Sequence, residues 1–314
     1  MQIKALSNYN NDKNTRFGDC ILIYDDSSLI MYDCGHEQHA IEIESFLSVN
    51  TSIKTVYVVV SHNDSDHILG VCDLLKWLKD KNCYSVKVFT HQYLKYVDKI
   101  LKKINDGRRK PEKLKEAILS EFNNIKDIIE TAREYGFETI NSIIGTDVYK
   151  SEIVGPTEDE FIAVVAKAVD SRESDIIGEG DGAENVMNAA SVQLKVTLNN
   201  RQSVLLCGDA SPDYLKELDS YDVIQLPHHG QLSDAKAVFE KLDDIYVKEF
   251  LISDNTGSGA TSGGSDDLVS YMKAERMLPA HNTKNGVIDL PKKDLRLGET
   301  SAKRSMVLGD LDCF

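Results

Sequence analysis

VYVVVSHNDSDHILGV, residues 56–71, decides how the chain is read. An unbroken apolar run, Val56 to Val60, leads into His62, Asn63, Asp64, Asp66 and His67, five potential metal ligands within six positions. A short continuous apolar run is the pattern of a strand covered on both faces. His62 and His67 stand five apart, so a single helix face could not present both. A loop that wraps an ion from several directions, between a strand and a helix, fits that spacing. The bland alternative is a polar turn.

Three other segments share the form of an apolar strand ending in a ligand type. SVLLCGDAS (203–211) delivers Asp209, DVIQLPHHG (222–230) delivers His228 and His229, and LIMYDCG (29–35) delivers Asp33. Any one could be a turn former; four such strand ends suit a site built along one rim of a sheet. CILIYDDSSLIMYDCG (20–35) reads as a hairpin around Asp25–Ser28, and SVQLKVTLNNRQSVLLCGDAS (191–211) as another around Asn199-Asn200. Strands are also expected at SVKVFT (85–90) and KEFLISDN (248–255), and helices at HAIEIESFLSV (39–49) and LLKWLKDKN (74–82). From Tyr93 to about Gly136 the apolar residues recur at helical spacing, with Gly107 and Pro111 as punctuation. Residues 155–190 hold a further helix and then a loop rich in Gly, Asp and Glu. Strands in two groups with helices between them predict a sheet-on-sheet core with helices outside, one α/β domain over 1–314 with a helical insertion at about 93–136.

The composition, 41% hydrophobic and 28% charged over 314 residues, is that of a globular chain able to bury a core. The net charge of −15 argues against a protein that coats nucleic acid, while leaving room for an enzyme that meets a polyanion through metal. The N-terminus lacks a signal-peptide pattern, and no run is long and apolar enough for a membrane span. Six cysteines (20, 34, 72, 83, 207 and 313) without a CxxC pair suit buried free thiols in a reducing cytoplasm.

The order of these motifs resembles the metallo-β-lactamase-fold superfamily of metal hydrolases. Its His-x-His-x-Asp-His motif is matched by His62, Asp66 and His67, with Asp64 where a histidine is familiar, and Asp209 matches its metal-bridging aspartate. FGDCILI, LIMYDCG, NAASVQLKVTLNNRQSVLLCGDA and LPHHG look most like the soluble nuclease-like domain of ComEC and its stand-alone relatives, with Gln231 in place of a serine. The motifs span residues 17–230. The resemblance implies an αββα sandwich and two divalent metals sharing a hydroxide. One metal would take His62 and Asp64. The other would take Asp66, His67 and one of His228 and His229, with Asp209 bridging. His228 is expected as the ligand and His229 as its neighbour toward the substrate. The residues before Gly-Asp, ENVMNAAS, contain no histidine for the first metal, so Asn188 or water would serve. Three carboxylates shift the preference from zinc toward manganese, iron or magnesium.

The resemblance implies hydrolysis of a phosphodiester, DNA or RNA, with Asp66 and Asp209 in the catalytic centre. His281, in LPAHNTKNG, is a candidate proton donor or phosphate contact; a surface-turn histidine is its alternative. Competing expectations are hydrolysis of a cyclic nucleotide, a phosphorylcholine ester or a lactone, a weakly catalytic metal-binding subunit of a larger assembly, and diiron redox chemistry. The segment 95–115 carries nine Lys/Arg against three acidic residues and could grip phosphates, or simply be a solvated helix face. TGSGATSGGS (256–265) lacks the P-loop lysine and reads as a loop bordering the site. His91 reads as structural, His36 and His39 as helix-starting, and Cys207 as a small core residue.

Overall fold

The computed structural model describes residues 1–6, 18–104, 110–174, 187–255 and 265–292, with the backbone alone at 170–174. Two seven-stranded mixed sheets stack face to face. The first contains β1 (Gln2–Ala5), β2 (Ile21–Tyr24), β3 (Ser28–Tyr32), β4 (Thr55–Val59), β5 (Ser85–Thr90), β6 (Glu138–Asn141) and β14 (Ile288–Leu290), in the order β14-β1-β2-β3-β4-β5-β6. The second contains β7 (Asp147–Val148), β8 (Ser151–Gly155), β9 (Gln193–Thr197), β10 (Ser203–Leu206), β11 (Val223–Gln225), β12 (Glu249–Ile252) and β13 (His281–Asn282), in the order β13-β12-β11-β10-β9-β8-β7.

Strand alternation sorts the apolar residues into three layers. In β3, Ile30 and Tyr32 face the second sheet, while Leu29 and Met31 face the outer helices. In β10, Val204 and Leu206 point inward against the first sheet and Leu205 outward. Helices α1 (Glu37–Val49) and, beyond the short α2 (Ser65–Ile68), α3 (Val71–Lys81) bury Ile43, Leu47, Leu74 and Leu78 on the first sheet. The helices Leu232–Phe239 and Asp266–Ala274 bury Val238, Phe239, Leu268 and Met272 on the second. The architecture is the expected αββα sandwich. His36 caps α1, its Nδ1 accepting from the Gln38 amide at 3.0 Å.

Within each sheet half of the pairings are parallel: β3-β4-β5-β6 in the first and β10-β11-β12-β13 in the second. Parallel strands deliver their C-terminal ends to one edge, where α/β sheets bind ligands. Asp33, the 61–67 loop, Asp209, His228-His229 and Asp254-Asn255 all follow such ends.

The crossover from β5 to β6 holds α4 (Val97–Ile104), α5 (Pro111–Glu121) and α6 (Asn123–Glu134). Tyr93 stacks on Phe122 there, centroids 4.6 Å apart, and α4 packs against α7 (Glu158–Ser174). Arg108 and Arg109 lie outside the described residues, as do 256–264 and Cys313; Lys110 is exposed. Strands β6, β7 and β8 went unread in the sequence: they are short and, in β6, only half-buried. Cys20, Cys34 and Cys207 are buried, whereas Cys72 is partly exposed and Cys83 is exposed between α3 and β5, contrary to a uniformly buried set.

Candidate metal centre

Asp33 follows β3 in a left-handed conformation (φ 60°) and is fully buried. Its carboxylate accepts from the Ser61 amide (2.7 Å), the Ser61 hydroxyl (2.6 Å) and His67 Nδ1 (2.8 Å). The same strand end therefore fixes both the start and the finish of the 61–67 loop.

Four imidazoles gather above the rim, and each has its Nδ1 committed. His62 Nδ1 lies 2.9 Å from Ser61 Oγ and 3.1 Å from Ser191 Oγ. Each hydroxyl donates its own proton elsewhere, Ser61 to Asp33 and Ser191 to the Asn188 carbonyl (2.7 Å). Both hydroxyls thus accept from His62, which carries its hydrogen on Nδ1. His67 Nδ1 faces Asp33, and His228 Nδ1 faces Asp234 at 2.7 Å. His229 Nδ1 faces Asp19 and the Ser253 carbonyl, each at 3.0 Å.

The other ring nitrogens converge on Asp209. His67 Nε2 is 3.4 Å from its Oδ1, while the Nε2 atoms of His62, His228 and His229 are 4.0, 3.8 and 3.8 Å from its Oδ2. The Nε2 atoms of His62, His67 and His228 and Asp209 Oδ1 are buried without hydrogen-bond partners. Asp66 Oδ2 lies 3.2 Å from His229 Nε2 and accepts from Asn255 at 2.7 Å. Asp64 Oδ2 is 3.7 Å from His62 Nε2 and accepts from Asn188 at 2.8 Å. With every Nδ1 protonated, these Nε2 atoms offer lone pairs toward carboxylates. Such an array demands either further protons or cations.

The electrostatics agree. Burial alone lowers imidazole basicity, yet the carboxylates of Asp209 and Asp33 raise His67 well above its ordinary pKa, and Asp209 and Asp19 do so for His229. Burial pushes the Asp209 carboxyl up, but His229 and His67 hold it well below the usual range. Asp66, desolvated yet bonded to His229, is lowered too, and so is Asp64 beside His62. Two ligand-competent triads emerge, His62-His67-Asp209 and Asp19-His67-His229, all buried.

The structure thus gathers His62, Asp64, Asp66, His67, Asp209, His228 and His229. It does not bring His281 to them. His281 sits in edge strand β13 opposite Leu251 of β12, and its Nε2 lies 2.6 Å from Glu249 rather than turning to an Asp of the cluster. His91 is buried against Phe161 and donates from Nε2 to the Ala190 carbonyl at 3.0 Å, as a structural histidine does. Sequence reasoning gives no role to the supporting residues Asp19, Ser61, Ser191, Asp234 and Asn255, although Asp19 and Ser191 lie within the FGDCILI and NAAS stretches that carry the resemblance. One signal was present: Gly18-Asp19 repeats the Gly-Asp of 208–209. Both glycines have positive φ (63° and 50°). A Cβ on Gly18 would lie 1.7 Å from the Asp66 carbonyl oxygen, and one on Gly208 2.9 Å from Ser61 Oγ.

Comparison with solved structures finds similar folds at low identity. The metallo-β-lactamase fold protein YhfI of Bacillus subtilis is 10% identical with a TM-score of 0.49, covering 92% of this chain and 99% of its own. Igni18, a metallo hydrolase of Ignicoccus hospitalis, is 14% identical with a TM-score of 0.46, covering 93% and 100%. A diphosphatase of the PhnP family is 12% identical with a TM-score of 0.46, covering 92% and 97%. No curated protein matches the chain. The family model of the metallo-beta-lactamase superfamily matches residues 14–247, most of the chain, and the chain belongs to that superfamily of metal-dependent hydrolases.

Proposed function

We propose that this protein is a phosphodiesterase dependent on two divalent ions, acting on DNA or RNA. The observation that carries the reading is the convergence of four imidazoles, each pinned with hydrogen on Nδ1, upon the carboxylates of Asp64, Asp66 and Asp209. His62, Asp64 and Asp209 would hold one ion; Asp66, His67, His229 and Asp209 would hold the other. Contrary to the order expected from the sequence, His229 takes the ligand role. His228, the most open of the four rings at 17% side-chain exposure, faces the substrate. Three carboxylates make the donor set oxygen-rich, which suits manganese as well as zinc and admits iron or magnesium. Bound ions would neutralise a phosphodiester and lower the pKa of water beside it.

The chain's own contribution is orientation. Asp33 and Asp19 set His67 and His229, the Ser61 and Ser191 hydroxyls set His62, and the surrounding strands exclude water from the cluster's floor. Nucleic acid is preferred over a cyclic nucleotide because the β5–β6 crossover reaches the 61–67 loop. Asn63 donates to the Glu121 carbonyl at 2.6 Å, and Asn124 donates to the Asn63 carbonyl at 3.1 Å. That contact sets the lysines of α5 (Lys113 and Lys115) on the helix leading to the site. Buried free thiols at Cys20, Cys34 and Cys207 suit a reducing, cytoplasmic setting.

The test is a matrix of metals against substrates, with Asp209→Ala as control. Hydrolysis of a bis-aryl phosphate and of single-stranded DNA or RNA in Mn²⁺, lost in EDTA and in the variant, is expected. Cleavage of cyclic nucleotides alone would replace the nuclease reading with the small-molecule one. Metal uptake without any turnover would favour a binding subunit.

A further inference from the structure

We infer that Asp19 is a positioning residue that sets the donor atom of His229, and through it the affinity of one metal position; the inference rests on the two-metal reading above. His228 and His229 both occupy left-handed backbone (φ 49° and 53°), a turn in which regular helical bonding does not orient the rings. The His229 ring must be aimed from outside, and Asp19 reaches it from the N-terminal hairpin. Asp19 is 1% exposed, and both its oxygens are used: Oδ1 lies 3.0 Å from His229 Nδ1, and Oδ2 accepts from Gln225 Nε2 at 2.5 Å.

Its backbone ties the same parts together. The Asp19 amide donates to the Asp66 carbonyl (3.0 Å), and its carbonyl accepts from Gly35 (2.9 Å). The preceding Gly18 amide donates to Asn255 Oδ1 (3.1 Å), and Asn255 Nδ2 in turn holds Asp66. Among the described residues, no Lys or Arg forms an ion pair with Asp19; the ring it faces is that of His229. A carboxylate buried against Nδ1–H fixes the tautomer, leaves Nε2 as the donor and makes that donor more basic.

The experiment is titration of metal-free protein with Co²⁺ and Mn²⁺, read by absorption and calorimetry, in wild type, Asp19→Asn, His229→Ala and the double variant. Asp19→Asn should lower the affinity for one of two equivalents about 10–100-fold and leave the other unchanged. In the His229→Ala background the same substitution should have no further effect, because the two act as one unit. Additive losses, or an Asp19→Asn protein that takes up both equivalents like wild type, would overturn the inference. Should the variants fold poorly, nitrogen NMR of the histidine rings in loaded wild type decides: Nδ1–H at His229 supports it and Nε2–H refutes it. Wild-type protein that takes up no metal would overturn the two-metal reading itself, and this inference with it.

Discussion

On one side of Asp209 stand His62, Asp64 and Asn188; on the other stand Asp66, His67 and His229. The first group rests on neutral partners: two serine hydroxyls behind His62 and one side-chain amide behind Asp64. The second rests on buried anions, Asp33 behind His67 and Asp19 behind His229. A carboxylate behind an imidazole raises its basicity more than a hydroxyl does. If both sides take an ion as proposed, the Asp66 side should bind first and the His62 side should exchange more readily.

Removing the shared residue should erase the difference. Asp209→Ala is expected to lower turnover by well over about 100-fold, beyond what loss of a buttressing residue alone costs. Both metal equivalents should weaken together in calorimetry; loss of only one would deny Asp209 its place between the two sides. Next in size is Gly18→Ala, which strikes the anionic side through its backbone. Left-handed strain and overlap with the Asp66 carbonyl together should cost about 4 kcal/mol in denaturant unfolding. An unchanged urea midpoint would mean that the Gly18-Asp66 contact is loose.

The neutral side should be the more sensitive to acid. Burial lowers His91 from 6.5 to about 4, and its ring donates to the carbonyl of Ala190, two residues after Asn188. The folded value lies below the unfolded one, so the native state binds fewer protons. Stability is whole above about pH 6.5 and falls as the pH drops toward 4, by on the order of 3 kcal/mol. Urea midpoints at pH 7.5 and 4.5 should converge partly in His91→Phe, and an identical pH slope would remove His91 from the account. Smallest is Asn188→His, which supplies the imidazole missing from the His62 side. It should tighten the weaker equivalent about tenfold, ~1.4 kcal/mol, and move its preference toward zinc. No change would place Asn188 outside the reach of the ion.

Much of this is legible in the sequence. The apolar run at 56–60 and the alternation in 20–35 and 191–211 marked strands, because a pleated backbone imposes a period that is local. The loop 62–67, Asp209 and the His228-His229 pair could be named for the same reason, since each follows a strand. His281 admits two readings in the sequence, a proton donor or phosphate contact and a surface-turn histidine; it is buried in strand β13 with its side chain facing Glu249 on the adjacent strand. Strands β6 to β8 were illegible because two to five residues, half of them polar, hold too short a pattern to register.

The sequence by itself determined the αββα sandwich, the strand ends that carry the His and Asp cluster, and the presence of Asp64 where a histidine is familiar. The tertiary structure alone decided which histidine of the pair turns toward Asp66, that Asp19 stands behind it, and which nitrogen of each ring is bare. Those choices depend on partners far apart in the chain: Asp19 and His229 are 210 positions apart, and Asp66 and His229 are 163. No local period encodes such a pairing; the packing of one sheet on the other brings the partners together.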